Sequence, residues 1–319
     1  MIIAFLDLLG FEWLMGYDLE AAFNNLNYFN QIIKTKIIDE MAHPEESYES
    51  ISLRDFVRKS SVTSFKYMIS ISDSLIIGSE VPDLFIRQLC DFVSYAFIMS
   101  AEPFVKEFTD LKSVNDTLTY NTKNGTIEQR KECAFPLLFR GGISFGHVIF
   151  SPEFQINQYK VNNSGINVCG LDYLRAVKLE GTGKGPRLFC SQSFVNTLST
   201  ESKKAIRSIS NREDEKVYEL IWTYYAFEAL SNSSNKRENI SRCLNRTLLP
   251  PAINLYNYFK NDEKNKLHYE EMLKLIFRGA IKYAKDNAED VDNIIDILKS
   301  KLIDIELQWD SYNVDDFLV

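Results

Sequence analysis

The sequence is poor in the residues from which most metal centres and covalent active sites are built. It has three histidines (His43, His147, His268) and five cysteines (Cys90, Cys133, Cys169, Cys190, Cys243). No two cysteines form a CxxC pair and no histidine is spaced with them. This argues against structural zinc and against a disulfide framework. A basic excess is also missing: 36 Lys and Arg face 44 Asp and Glu, a net charge of −8. A non-specific nucleic-acid binder draws its affinity from cations on phosphates and is excluded on that ground, whereas a small anionic substrate neutralised by metal ions is not. No apolar run approaches the ~18 residues a membrane span requires, and the start lacks a basic segment and cleavage site of the secretory kind. The expectation is a reduced, cytoplasmic, soluble protein with neither membrane nor nucleic acid as partner. Apolar residues make up 45% of the 319 positions, enough to bury a sizeable core in one large or two modest domains.

Against this background two aspartates stand out. Met1 to Phe11 is an apolar run of the kind that forms a buried strand, and Asp7 interrupts it. A carboxylate in such a strand needs a compensating cation, either a metal ion or an Arg or Lys. Gly10 lets the chain turn, and an amphipathic pattern begins at Asp18. A second pair of strands, Phe65–Ile71 and Leu75–Gly78, flanks Ser72-Asp73-Ser74, a hairpin turn. Asp is a common turn former, so Asp73 has a purely structural reading as well. Two strand ends each carrying an Asp are also what a pair of divalent cations about 3.5–4 Å apart needs for in-line phosphoryl transfer.

Further along, the three- and four-residue spacing of Ala22, Phe23, Leu26, Phe29, Ile33, Ile37 and Ile38 predicts a helix over 19–41. A polar loop with a short helix follows to Lys59. Pro82 opens another helix, with Leu84, Phe85, Leu89, Phe92, Val93, Ala96 and Phe97 on one face. From 101 to 132 the chain turns polar, and Asn124-Gly125 between β-formers signals a hairpin in an inserted arm. Pro136–Gly146 and His147–Phe150 read as adjacent strands, with Gly141 and Gly142 where another backbone comes close. A helix is expected over 165–180, a glycine-rich cap at Gly181–Pro186, and strands at Arg187–Cys190 and Val217–Trp222. From about 229 the pattern is helical, broken at Pro250-Pro251. The fold class is therefore α+β: a sheet with helices over 1–228, then a helical C-terminal region, 229–319, read as a second domain or a dimerisation element.

The order of four pieces carries a resemblance: Phe5-Leu6-Asp7-Leu8-Leu9-Gly10-Phe11, Ile71-Ser72-Asp73-Ser74, Phe139-Arg140-Gly141-Gly142-Ile143-Ser144-Phe145-Gly146, and the helix from Gly170 to Leu179-Glu180. Over residues 1–228 this resembles the catalytic domain of class III nucleotidyl cyclases, whose core is a ferredoxin-like, palm-type sheet. Within that class it is most similar to the pyrimidine cyclases of bacterial Pycsar antiphage defence. The resemblance implies two Mg²⁺ or Mn²⁺ ions per site, held by Asp7, Asp73 and the backbone carbonyl of Leu8. It places Leu9, Gly10 and Phe11 against the triphosphate and Phe5 near the nucleotide.

It further implies a homodimer with sites at the interface, a pyrimidine nucleoside triphosphate as substrate (UTP, or else CTP), a cyclic UMP or cyclic CMP product, and a separate cyclic-nucleotide-activated effector. The helix that usually presents an Asn and an Arg to the transition state carries Leu174 and Lys178 instead. Lys178, Arg140 and Arg175 are the cations left to act there, with the neutral amide of Asn167 as a further alternative. Two other readings remain: a catalytically inactive cyclase fold that binds nucleotides or regulates, and another palm-type nucleotidyl transferase. For the second of these, the acidic residues that should follow Gly141-Gly142 are absent.

Overall fold

The computed structural model describes residues 1–39, 63–111, 116–121, 127–132, 135–152, 166–212, 215–230, 236–287, 290–303, 305 and 307. The expected polar loop before Lys59, the Asn124-Gly125 turn and the loop around Ser164 lie outside them.

Seven strands form one mixed sheet in the order β10-β11-β9-β6-β1-β3-β2. The first, β1 (Ile2–Leu8), lies between β3 (Ser74–Ser79) and β6 (Phe139–Phe145), antiparallel to both. β2 (Phe65–Ile71) pairs with β3 at one edge. β9 (Leu188–Ser191) runs parallel to β6 and leads to β11 (Glu215–Leu220) and β10 (Ile206–Arg212) at the other. Two ribbons stand apart from this sheet, β4 (Asp116–Asn121) with β5 (Ile127–Glu132) and β7 (Ile149–Pro152) with β8 (Ile166–Cys169).

Alternation along β1 decides what each face of the sheet does. Ile2, Ala4, Leu6 and Leu8 join the main core, whereas Ile3 belongs to a smaller cluster with Ile76, Val148 and Ala176, against which Phe5 packs. Asp7 shares this second face. The main-core face is covered by α2 (Leu19–Ile32) and α3 (Pro82–Ala101), preceded by the short α1 (Phe11–Tyr17). α2 ends nine residues earlier than its periodicity predicts and runs on as a π-helix, Ile33–Asp39. The stretch Pro82–Phe104 is long and apolar enough to cross a membrane by length and composition, with a mean hydropathy of 1.3. The sequence predicts no such stretch, and here Asp83, Arg87 and Asp91 do interrupt the apolar run. In the structure this helix is mostly buried, with Phe85, Phe92 and Phe97 packed on Phe194, Phe139 and Trp222.

Where a helix over 165–180 is expected, the chain forms β8 and then α4 (Leu171–Glu180). Gly170, at φ 147, breaks the run, and a side chain there would strike the carbonyl of His147. Beyond α4 and a single turn at Gln192–Val195 come α5 (Trp222–Leu230), α6 (Lys236–Cys243), α7 (Leu249–Phe259), α8 (Glu263–Asp286) and α9 (Val291–Ile303). Pro250 and Pro251 open α7 rather than interrupt it, because the first helical turn has no use for their missing N–H. Leu255, Leu273, Ile276 and Phe277 of these helices share one continuous core with Leu6, Ile143 and Leu188 of the sheet.

One charged network crosses from sheet to helix. Glu219 on β11 is fully buried. Its carboxylate meets Arg187 Nε at 2.5 Å, Arg207 Nε at 3.2 Å and Arg278 Nη1 of α8 at 3.6 Å. Burial alone would raise its pKa, but Arg187, Arg278 and Arg207 hold the carboxyl below its ordinary value.

Candidate active site

Asp7 sits at the end of β1, opposite Ser74 on β3 and Arg140 on β6. Ser74 Oγ donates to Asp7 Oδ1 at 3.1 Å, and Arg140 donates to Asp7 Oδ2 through Nε at 3.1 Å and Nη2 at 2.9 Å. Arg140 Nε also lies 2.5 Å from Glu180 Oε1, at the end of α4. Asp73 occupies the turn between β2 and β3, where its carbonyl accepts the Leu8 amide at 3.0 Å. Ser72, at φ 54, supplies the left-handed residue this turn requires. Asp7 and Glu180 thus share a single guanidinium, and the Asp73 turn is tied to the same strand end through the Leu8 amide.

The electrostatics follow from this crowding. Burial raises the Asp73 pKa, the neighbouring Asp7 charge raises it further, and Arg140 opposes both. Glu180 is raised as well, by burial first; Arg140 pulls it down and Asp7 pushes it up. α4 reaches this corner because β6 carries Gly142, where an added Cβ would lie 2.0 Å from the carbonyl oxygen of Ala176. The other end of the helix is pinned through Asp172, which accepts from Ser144 Oγ at 3.1 Å, from the His147 amide at 2.9 Å and from Arg175.

The expected site residues divide accordingly. Asp7 and Arg140 meet at one point, and Leu8 is hydrogen-bonded to the Asp73 turn beside them. Phe5 lies half-buried on the same face of β1. Leu9 needs correction. Its amide, expected to face a phosphate, donates to the Leu138 carbonyl at 2.7 Å, because the chain must pair there as it leaves the strand. The side chains of Leu9 and Phe11 are core, and Gly10, at φ 85, opens α1. Arg175 is engaged by Asp172 and anchors α4. Lys178 is exposed on α4, and Asn167 is exposed on β8 rather than on a helix. Glu180, not expected in a site role, is the residue that sequence reasoning missed. Its signal was the end of an amphipathic helix following a Gly-Gly strand.

Hard oxygen donors on two strand ends suit Mg²⁺ or Mn²⁺ better than a softer metal. Among the described residues no group of three or more His, Cys, Asp or Glu is arranged to hold a metal ion. Asp7 and Asp73 supply two carboxylates, the kind of set that would suit an ion completed by substrate phosphates.

No family model and no curated protein matches the chain. Among solved structures, it resembles the guanylyl cyclase domain of the RhoGC fusion protein from the fungus Blastocladiella emersonii at 14% identity and a TM-score of 0.38, covering 69% of this chain and 94% of that one. An adenylate cyclase from Trypanosoma brucei matches at 14% identity and a TM-score of 0.41, covering 69% and 89%. The adenylyl cyclase CyaB from P. aeruginosa matches at 14% identity and 0.38, covering 69% and 92%. At these values the likeness carries no argument about chemistry, which rests on the geometry above.

Proposed function

We propose that the chain is a nucleotidyl cyclase of the class III kind, converting UTP, or else CTP, to the 3′,5′-cyclic monophosphate and pyrophosphate. The observation that carries this is the placement of Asp7 and Asp73 at neighbouring strand ends, where the Leu8 amide donates to the Asp73 carbonyl at 3.0 Å and the Asp7 charge adds to burial in raising the Asp73 pKa. In the reaction the ribose 3′-oxygen bonds to the α-phosphorus, the α–β bridging P–O bond breaks, and the hydroxyl proton passes to solvent. Divalent ions held by Asp7 and Asp73 would promote loss of that proton and neutralise the leaving pyrophosphate. Arg140, held between Asp7 and Glu180, compensates the acidic corner. Lys178 offers an exposed cation on α4, a point charge without the fork of an arginine. Phe5 gives an apolar contact beside the acidic corner.

The pyrimidine preference, the role as a second-messenger synthase in antiphage defence, the cytoplasmic setting and the separate effector extend this proposal from the motif resemblance. A homodimer belongs to it too. Ile71 beside the Asp73 turn is 58% exposed, and Leu171 and Leu174 towards the far end of α4 are 78% and 53% exposed, apolar side chains that a second copy would cover. Leu174 and Lys178 favour one rival reading, a nucleotide-binding protein without turnover, because an apolar side chain stands where the class presents an amide. Thermal unfolding with Mn²⁺ and each triphosphate tests the binding step. Joint stabilisation by Mn²⁺ and UTP or CTP, lost in Asp73→Asn, is the expected result. Equal stabilisation of both proteins would remove Asp73 from the site.

A further inference from the structure

The loop that follows Glu180 is not a free glycine-rich cap. Thr182 N donates to the Leu179 carbonyl at 3.0 Å and closes α4. The chain then passes under α8. The Gly185 amide donates to His268 Nδ1 at 3.0 Å in a buried bond. Gly185 has φ +88, and a Cβ there would lie 2.6 Å from Glu271 Cβ, so only glycine lets the loop lie this close to the helix. Trp222 Nε1 donates to the Pro186 carbonyl at 2.8 Å, and Arg187 Nη1 meets Glu271 Oε2 at 3.2 Å.

Both ends of this clamped segment touch the candidate site. Upstream it begins at Glu180, whose carboxylate holds Arg140. Downstream, the Arg187 carbonyl accepts the amide of Gly141 at 3.0 Å, and Gly141 directly follows Arg140 on β6. A shift of α8 relative to the sheet would therefore reach both members of the Arg140–Glu180 pair through covalent neighbours. His268 is suited to the task as a neutral acceptor. Burial pushes it down to about 4, with the charges of Lys184, Arg140 and Lys264 adding to the effect.

We propose that His268 and Glu271 of α8 are positioning residues for the candidate site, setting the Arg140–Glu180 pair through the clamped loop 181–187. The kinetic part rests on the cyclase reading; the structural part does not. The experiment compares wild type with His268→Leu, His268→Asn and Gly185→Ala. His268→Asn keeps an acceptor where Nδ1 stands, and Gly185→Ala pushes the loop off α8 without touching the histidine. Hydrogen exchange is followed over 139–143, 181–187 and, as an internal control, the α3 segment 82–101. In parallel, turnover is measured with Mn²⁺ and whichever triphosphate is used.

His268→Leu and Gly185→Ala should speed exchange at 181–187 and also at 139–143, with 82–101 unchanged. They should lower kcat about tenfold with KM within about twofold, as expected for misplaced rather than missing groups. His268→Asn should return both readouts most of the way to wild type. Faster exchange confined to 181–187 would overturn the proposal, and so would a His268→Asn protein indistinguishable from His268→Leu. If His268→Leu does not fold, Gly185→Ala makes the same comparison. If the wild type turns over no triphosphate, the cyclase reading fails while the exchange at 139–143 still decides the coupling.

Discussion

Arg187 and Arg140 each hold carboxylates in the same sheet, the first inside a buried network rich in arginine and the second at an open strand end rich in acid. Around Glu219, Arg187, Arg207 and Arg278 converge, and their charges more than offset the burial that would otherwise raise its pKa. Around Arg140, Asp7 and Glu180 share one guanidinium with Asp73 nearby, and the pKa values of Asp73 and Glu180 are raised. The first arrangement compensates its buried carboxylate with cations and ties sheet to helix. The second is short of positive charge, a disposition that the proposed function would use to receive cations and a polyanionic substrate. Strained carboxylates of this kind mark functional sites more often than structural ones.

If that contrast holds, the two clusters respond to mutation in opposite ways. Asp7→Asn should lower turnover by at least about 10³-fold, because it removes a metal-holding oxygen. The same change should leave thermal stability within a few degrees of wild type, since it also relieves repulsion with Asp73. A matching loss of stability would make the corner structural. Glu219→Leu should do the reverse. It strands buried arginines and should cost about 3–5 kcal/mol in urea unfolding, and a variant of wild-type stability would show that the network is solvated.

Gly142→Ala lies between the two. Its Cβ would meet the Ala176 carbonyl oxygen at 2.0 Å, so overpacking should cost about 1–3 kcal/mol. It should also reduce turnover, because α4 carries Glu180. A stability cost without a kinetic one would separate α4 from the site.

The last effect concerns pH. His268 is lowered in the fold to about 4 from an ordinary 6.5, so between these values the unfolded chain binds the extra proton more readily. The stability it contributes is full above about 6.5 and is lost as pH falls through that window towards 4. The unfolding free energy of wild type minus that of His268→Asn should therefore shrink on acidification. A constant difference would mean that His268 accepts its proton freely in the folded protein.

The site corner was more legible in the sequence than its surroundings. Asp7 inside an apolar strand and Asp73 between two β-patterned runs announce themselves because each violates or punctuates a local rule. Gly141-Gly142 marked a close approach, and α4 pressing on β6 supplies it. The β8 strand was hidden because four residues give too short a pattern to separate strand from helix. The Leu9 amide was misread because its partner, Leu138, is distant in sequence. Gly185 and His268 are separated by 83 positions, and no local periodicity carries information about such a contact. Arg140 was visible as a charge, but which carboxylates it would hold depended on how two strands and a helix end meet.

The most direct test of the central claim is to incubate the purified protein with Mn²⁺ and each of the four ribonucleoside triphosphates, and to identify products by mass and retention time. The account predicts a cyclic mononucleotide and pyrophosphate from UTP or CTP, absent with Asp7→Asn and with Asp73→Asn. A cyclic product undiminished in either variant would contradict it, as would a linear or dinucleotide product from the wild type.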